Sequence, residues 1–267
     1  MKIRLDALLV EKGLVSGRSR AKELIENGGV CVDGKVSTKA ALLVENTCDI
    51  SITGQTLKYV GRGGLKLEHA LSHFNISVEG LTCADIGAST GGFTDCMLDN
   101  GAKLVYAIDV GHGQLAQKLI DDKRVINMEG INVKELNADS FDISPQFVGA
   151  DLSFISLKTS LPYILSSVDD DCKLVLLIKP QFEAGKSAVG KGGIVKDKKL
   201  HKKLLDEMLV FFSSVNCHTL GLTYSSIRGG DGNIEYLAYL VFGMDTEKTP
   251  DCFDTKAIVE EAFTILK

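Results

Sequence analysis

The chain has 267 residues, 45% of them hydrophobic and 24% charged, with a formal net charge of −5. That length has room for one large domain and a small one, and the acidic balance argues against a wholesale polyanion binder. The sign is unevenly spread: residues 1–60 carry +2 and the remainder −7, so the excess of base lies at the front.

Seven cysteines, an odd number with no C-x-x-C, fall mostly in apolar patterns, as reduced core thiols of a cytoplasmic protein would. The first apolar run is broken by Asp6 and Glu11, unlike a secretory leader. Nowhere do about 18 uncharged apolar residues follow one another, as a membrane span requires.

Ile3–Lys12 has helical periodicity, with Leu5, Leu8 and Leu9 on one side and Gly13 as a stop. Ser16 or Ser19 can cap a second helix running to Glu26, ended by Asn27-Gly28-Gly29. Val30-Cys31-Val32, Asp33-Gly34 and Lys35-Val36 then spell a hairpin. Taken alone, the basic residues here are solvated charges nearly balanced by Asp6, Glu11, Glu23 and Glu26. The order helix, helix, hairpin with the phrase R-L-D-x-L-L-x-x-x-G-L-x-x-x-R-S-R-A resembles the αL RNA-binding domain named after ribosomal protein S-four. The resemblance implies an RNA face carrying Arg4, Arg18, Arg20, Lys22 and Lys35, which would contact phosphates. Arg4-Leu5-Asp6 also imitates the catalytic R-L-D of pseudouridine synthases; inside the small domain's own first helix, Asp6 reads as structural.

The basic, glycine-rich joint from Lys58 to Lys66 marks a boundary. It predicts a small domain over 1–58, a linker over 59–64 bearing Arg62, and a large domain over 65–267. Leu65–Phe74 reads as a helix on which His69 and His73 lie four apart, a metal-like spacing. No further ligand cluster accompanies them, so no metal is expected.

Residues 82–97, T-C-A-D-I-G-A-S-T-G-G-F-T-D-C-M, read as a strand, a glycine turn and a helix, which leaves backbone N–H groups for a ligand at the strand's carboxyl end. Three chemistries compete. A dinucleotide fingerprint needs G-x-G-x-x-G, but Ser89 holds the middle glycine's place between Gly87 and Gly92. Gly87-Ala88-Ser89-Thr90-Gly91 also spells a hydrolase elbow with Ser89 as nucleophile and His201 or His218 as base, yet that elbow normally follows several earlier strands. An S-adenosylmethionine loop needs no middle glycine and calls for an acid ending the next strand. Lys103–Asp109 (K-L-V-Y-A-I-D) is that strand; Asp109 would take a ribose, or else cap a following helix. Candidate cofactor residues are Asp85, Gly87, Ala88, Ser89, Gly91, Gly92, Phe93, Asp109 and Val110.

Beyond Asp109 the pattern predicts a helix near 113–121, strands at Arg124–Met128 and Phe147–Phe154, and a helix over Leu157–Val168 containing Pro162. A strand at Lys173–Lys179, a long helix over Lys198–Ser214, strands near 218–226 and 234–242 and a C-terminal helix follow. Alternation of this kind implies a parallel sheet with helices on both faces and ligands at the strands' carboxyl ends. Asp151, Lys179 and Glu235 stand at or near such ends; a lysine ending an apolar strand is costly unless partnered or used. Gly185-Lys186-Ser187 imitates a Walker A ending, but Pro180 occupies the place of the required glycine. The lysine-rich stretch 184–199, with Lys186 and Lys191, reads as a basic loop beside the site that would hold substrate phosphates or simply be solvated.

Y-V-G-R-G-G-L-K-L, D-I-G-A-S-T-G-G-F-T-D, Y-A-I-D-V-G, A-D-L-S-F-I-S-L, L-I-K-P-Q-F-E and G-N-I-E-Y-L, in this order behind the small domain, resemble the TlyA, or haemolysin A, family. The resemblance covers nearly the whole chain. It implies an α/β, Rossmann-like methyltransferase of FtsJ type that uses S-adenosylmethionine to methylate a ribose 2′-hydroxyl of ribosomal RNA, cytidine being the expected nucleotide. It also implies a catalytic tetrad of Lys66, Asp151, Lys179 and Glu235. In that scheme Lys179 is the base if burial and Lys66 lower its pKa, Lys66 stabilises the alkoxide, and the acids orient both amines. Gly61, where serine is common, and Ser226, where a proline often stands, depart from the family pattern. Two alternatives stay open: a membrane-damaging toxin, after the haemolysin label, and a non-catalytic RNA-binding or assembly factor.

Overall fold

In a computed structural model the chain forms two compact units, residues 1–58 and 59–267. The described residues are 2–15, 17–26, 29–52, 58–185, 190, 192–243 and 253–266.

The first unit contains β1 (Lys2–Arg4), α1 (Leu5–Glu11), α2 (Arg18–Glu26), β2 (Val30–Val32), β3 (Lys35–Ser37), β4 (Leu43–Glu45) and β5 (Ile50–Ile52). Asp33 and Gly34 both adopt positive φ, 49° and 76°, the geometry a two-residue D-G hairpin requires. The strand order is β3-β2-β5, with β1 and β4 as a separate antiparallel pair. That pairing corrects the predicted first helix, whose expected start at Ile3 is a strand. Its apolar stripe is as expected: Leu5, Leu8 and Leu9 pack on Ala21, Ile25 and Val30. Of the two expected caps, Ser19 falls within α2, and Ser16 lies outside the described residues, as do Asn27 and Gly28.

The second unit runs α3 (Gly63–His73), β6 (Thr82–Ile86), α4 (Gly92–Asp99), β7 (Leu104–Asp109), α5 (Gln117–Ile120), β8 (Val125–Glu129) and β9 (Phe147–Ala150). It continues with α6 (Leu157–Leu165), β10 (Lys173–Ile178), α7 (Pro180–Glu183), α8 (Lys198–Ser214), β11 (Cys217–Tyr224), β12 (Tyr236–Phe242) and α9 (Thr255–Ile265). The seven strands are ordered β11-β12-β10-β9-β6-β7-β8. Apolar runs such as Leu174–Ile178 are buried on both faces, the condition that a near-continuous hydrophobic strand predicts. Two clusters cover the two faces: one built on Tyr106, Phe141, Phe212 and Tyr236, the other on Leu67, Phe93, Met97 and Phe147.

Four expectations change. The sheet is parallel except for β12, which pairs antiparallel with both β10 and β11. Residues 59–64, expected as a linker, pack into the second unit: Tyr59 is 2% exposed, Val60 N–H donates to Asp95, and Gly63 already opens α3. The helix expected near 113–121 shrinks to α5, because the N–H groups of Gln114 and Leu115 turn to the Glu129 carboxylate. The strand expected to reach Phe154 leaves the sheet after Ala150, freeing residues 151–154. Among the described residues no helix is long and apolar enough to cross a membrane.

Candidate active site

The sheet delivers its charged residues to one edge. Asp85 is in β6, Asp109 ends β7, Asp151 follows β9 and Lys179 follows β10. The reversed direction of β12 is what adds the last member: Tyr236 pairs with Ile178, so Glu235, just before β12, stands beside Lys179, just after β10. Lys66 comes from α3.

The expected tetrad is one connected set of charges. Lys66 Nζ lies 2.7 Å from Glu235 Oε2 and donates to Asp151 Oδ2 at 3.2 Å. Lys179 Nζ lies 2.6 Å from Asp151 Oδ1 and donates to Ser153 Oγ at 2.9 Å. Asp151 thus bridges two lysine side chains. Burial pushes the Lys66 pKa down, but Asp151 and Glu235 outweigh it and hold the ammonium above the ordinary lysine value. Burial likewise pushes Asp151 up, and the two lysines more than offset it, keeping the carboxyl below its ordinary value.

The turn between β6 and α4 brings backbone close to this cluster. Gly87 has φ +87°, and a Cβ there would lie 2.7 Å from the Asp151 carbonyl oxygen, so glycine lets the two strand ends meet. Gly91 caps α4 at φ +94°, backed by Leu115 and Leu119. Ser89 also takes positive φ; its N–H donates to Asp109 Oδ2 at 2.8 Å and its hydroxyl to Gln114. Among the described residues that hydroxyl bonds Gln114 and no imidazole: His201 spends both ring nitrogens on Tyr236 and Val195, and His218 lies in β11.

Two cavities meet at this turn. The larger, about 610 Å³, is lined by Gly87, Ser89, Asp109 and Val110 of the expected set. Gln114, Asn132 and Phe154 line it too, and the sequence reading passed over all three. The smaller, about 210 Å³, takes in Asp85, Ala88, Gly92, Phe93, Arg62 and Lys179. Gly91 lines neither. Asp85 is buried, accepts two hydrogen bonds at Oδ2 from the Thr94 N–H and hydroxyl, and keeps Oδ1 without a partner. Burial raises its pKa to about 7 against those hydrogen bonds.

Phe154 has a signal that only the fold reveals. It adopts φ +65°, rare for a bulky side chain, and is 91% exposed, its ring 5.4 Å from that of Phe182.

The basic residues expected to meet RNA are handled differently from one another. In the first unit Asp6 is 4% exposed and accepts from both Arg4 and Arg18, a structural use of the R-L-D aspartate. Arg4 and Lys22 line a separate cavity of about 570 Å³ together with Lys39. Arg20 is half-buried within α2, and Lys35 is exposed on the hairpin. In the second unit Arg62 donates to the Arg228 carbonyl at 2.7 Å. Lys186 and Lys191 lie outside the described residues. His69 and His73 sit with ring centroids 5.5 Å apart, and among the described residues no three His, Cys, Asp or Glu side chains gather as a metal site.

Comparison with known proteins agrees with this architecture. The FtsJ-like methyltransferase family matches residues 59–242 and the S4 domain residues 3–50. The chain is 44% identical to a candidate rRNA methyltransferase, YqxC, of Bacillus subtilis, over all of this chain and 96% of that one. It is 42% identical to the 16S/23S rRNA (cytidine-2′-O)-methyltransferase TlyA of Mycobacterium tuberculosis, over 89% of each. A solved structure of a candidate hemolysin from Streptococcus thermophilus superposes with a TM-score of 0.81 at 42% identity, covering 99% of this chain and 96% of that one. With an S4 domain ahead of the catalytic fold, the chain belongs to the FtsJ-like methyltransferase family, in the group that includes TlyA.

Proposed function

We propose that the protein transfers a methyl group from S-adenosylmethionine to a ribose 2′-hydroxyl of ribosomal RNA, with cytidine as the acceptor nucleotide. The observation that carries this reading is the buried Lys66–Asp151–Lys179–Glu235 network at the junction of two cavities.

The residues present fit the cofactor. Asp85 offers an unpartnered buried oxygen to an ammonium in the smaller cavity, and Asp109, on the wall of the larger, keeps carboxylate lone pairs for ribose hydroxyls. The sulfonium methyl of S-adenosylmethionine is already a strong electrophile, so the protein's task is to deprotonate and align a weakly acidic hydroxyl. Lys179 Nζ, 2.6 Å from Asp151 and on the wall of the smaller cavity, is the amine that takes the 2′-hydroxyl proton. Lys66, kept charged by two carboxylates, stabilises the developing alkoxide. Asp151 holds both amines in register, and Glu235 fixes Lys66 from the far side. The exposed ring of Phe154, at the cavity rim, offers an unstacked acceptor base a surface on which to stack.

In the S4 unit, Arg4, Arg18, Arg20, Lys22 and Lys35 supply phosphate contacts, and in the second unit Arg62 does so beside the smaller cavity. Lys186 and Lys191 have the chemistry to add further ones. A cytoplasmic protein meeting ribosomal subunits accounts for both units. The haemolysin label attaches to some relatives, but a dedicated lytic activity would leave the charged tetrad without a use.

The test is transfer of labelled methyl to unmodified small and large ribosomal subunits, with Lys179→Ala alongside. Alkali-resistant label in RNA, absent with the variant while cofactor affinity stays within a few-fold, supports the reading. Cofactor binding with no transfer to either subunit or to free RNA overturns it in favour of a binding or assembly factor.

A further inference from the structure

Glu235 is flanked by Asn233 and Tyr236, and both flanking side chains are fully buried. Both are tied to the same short piece of backbone. The Asn233 carboxamide bonds it twice: Oδ1 accepts from Val195 N–H at 3.0 Å and Nδ2 donates to the Gly193 carbonyl at 2.9 Å. Tyr236 reaches it through His201 of α8, whose Nδ1 is 2.8 Å from the Tyr236 hydroxyl and whose Nε2 is 3.0 Å from the Val195 carbonyl. A carbonyl can only accept, so Nε2 carries the hydrogen and Nδ1 accepts from the phenol. Both polar groups of Val195 are therefore claimed, the N–H by Asn233, two residues before Glu235, and the carbonyl by His201, which in turn holds Tyr236, the residue after it.

The loop in front of β12 is also tied to itself and to its neighbours, Arg62 donating to the Arg228 carbonyl and the Arg228 guanidinium to the Leu266 carbonyl. Ser225 N–H donates to the Glu235 carbonyl at 2.8 Å, and Gly229 N–H to the Asn233 carbonyl at 2.9 Å. A Cβ at Gly229 would collide with Glu235 Oε1, so the carboxylate packs directly against this loop. Asn233 and His201 line neither cavity of the site. A fully satisfied buried polar network of this kind rigidifies what it touches, and what it touches here is the mount of the Lys66 partner.

We propose that Asn233 and His201 are positioning residues: they clamp the 193–195 backbone to the loop that presents Glu235, and so fix the carboxylate that holds Lys66. The inference rests on the proposed function, because its readout is methyl transfer. Displacing a catalytic group by about 1 Å costs on the order of 100-fold in rate without a matching loss of binding.

The experiment uses the full chain as wild type, Asn233→Ala, His201→Ala and His201→Gln. It measures kcat and KM on unmodified ribosomal subunits, S-adenosylmethionine affinity by calorimetry, and Tm. The two alanine variants should lose about tenfold or more in kcat, with RNA KM and cofactor Kd within about threefold. His201→Gln, which keeps an N–H for the Val195 carbonyl, should recover most of that loss. Wild-type kcat in both alanine variants overturns the inference and leaves the proposed function standing. So does a loss that follows Tm or cofactor binding, or one equal in His201→Gln and His201→Ala, because either marks a core residue only. If Asn233→Ala does not fold, the two His201 variants decide. Absence of transfer by the wild type overturns the proposed function itself, and the inference with it.

Discussion

The Lys66 ammonium lies 2.7 Å from a carboxylate oxygen of Glu235, and the two side chains are 9% and 3% exposed. A pair so buried is poor evidence for stability, since desolvating two charges offsets most of their attraction. The burial of Glu235 at the site fits the role proposed for it in holding Lys66. Glu235→Gln keeps the shape and removes the charge, leaving Lys66 with Asp151 alone. Turnover should fall roughly 100-fold, as for loss of an electrostatic stabiliser, and the urea midpoint should drop, because breaking one partner of a buried pair costs up to roughly 3–5 kcal/mol. Parallel activity and denaturation measurements check both; wild-type turnover would reduce Glu235 to scaffold.

The same pair sets a pH limit. Lys66 has a raised folded-state pKa, so its contribution to stability is fully present below the unfolded lysine value and is lost only as pH rises through the higher folded one. The stability gap between wild type and Lys66→Met should be flat from pH 6 to pH 9 and narrow in strong alkali. A gap that closes near neutrality would show Lys66 to be neutral in the fold.

Asp85 also has a raised folded-state pKa, but here the charged form is the costly one. Its folded pKa is raised to about 7 from an unfolded value near 3.9, so the folded state binds the extra proton and stability falls as pH rises from about 4 to about 7. Above that window the cost of the buried charge is fully present. Asp85→Asn removes it while still accepting from Thr94. The variant should be more stable than wild type at pH 8 and nearly equal to it near pH 4, yet bind S-adenosylmethionine more weakly. Melting curves and calorimetry at the two pH values check this.

Phe154 separates stability from activity. Its ring is 91% exposed at φ +65°, so Phe154→Gly relieves backbone strain of the order of 1 kcal/mol at little cost in packing. The expected result is an unchanged or higher Tm together with a clear rise in RNA KM or fall in kcat, because the stacking surface is gone. Unaltered kinetics would remove Phe154 from the acceptor site.

In the small unit the Asp6 carboxyl is held at about 2, chiefly by its hydrogen bond from Arg4, against burial and with further help from Arg18. A depressed acid gives stability that is present above the unfolded value and lost as pH falls through the folded one. Asp6→Asn should thus destabilise the protein at pH 7 and cease to matter near pH 2, as followed by chemical denaturation.

Much of this was legible because it is local. The glycine turn 87–92, the acid ending 104–109, the D-G hairpin and the apolar stripe of Leu5, Leu8 and Leu9 are set by backbone sterics and periodicity within a few residues, and the structure contains each of them. The six ordered motifs carried the family and, with it, the four tetrad positions. Other features depended on partners distant in sequence. Lys2–Arg4 is a strand only because Leu43–Glu45 pairs with it. Residues 113–116 are not helical because Glu129 takes the N–H groups of Gln114 and Leu115 and the Thr90 carbonyl that of Ala116. A period-2 pattern does not encode strand direction, yet the antiparallel placement of β12 against β10 is what sets Glu235 beside Lys179. Nor does local sequence mark an aromatic forced outward, as Phe154 is, or an asparagine and a histidine sharing one peptide, as Asn233 and His201 do. The sequence by itself determined the kind of elements and the chemistry each carries, because propensity and turn geometry act over a few residues. Which charges meet was decided only by the tertiary structure, because burial and pairing join residues that no local signal connects.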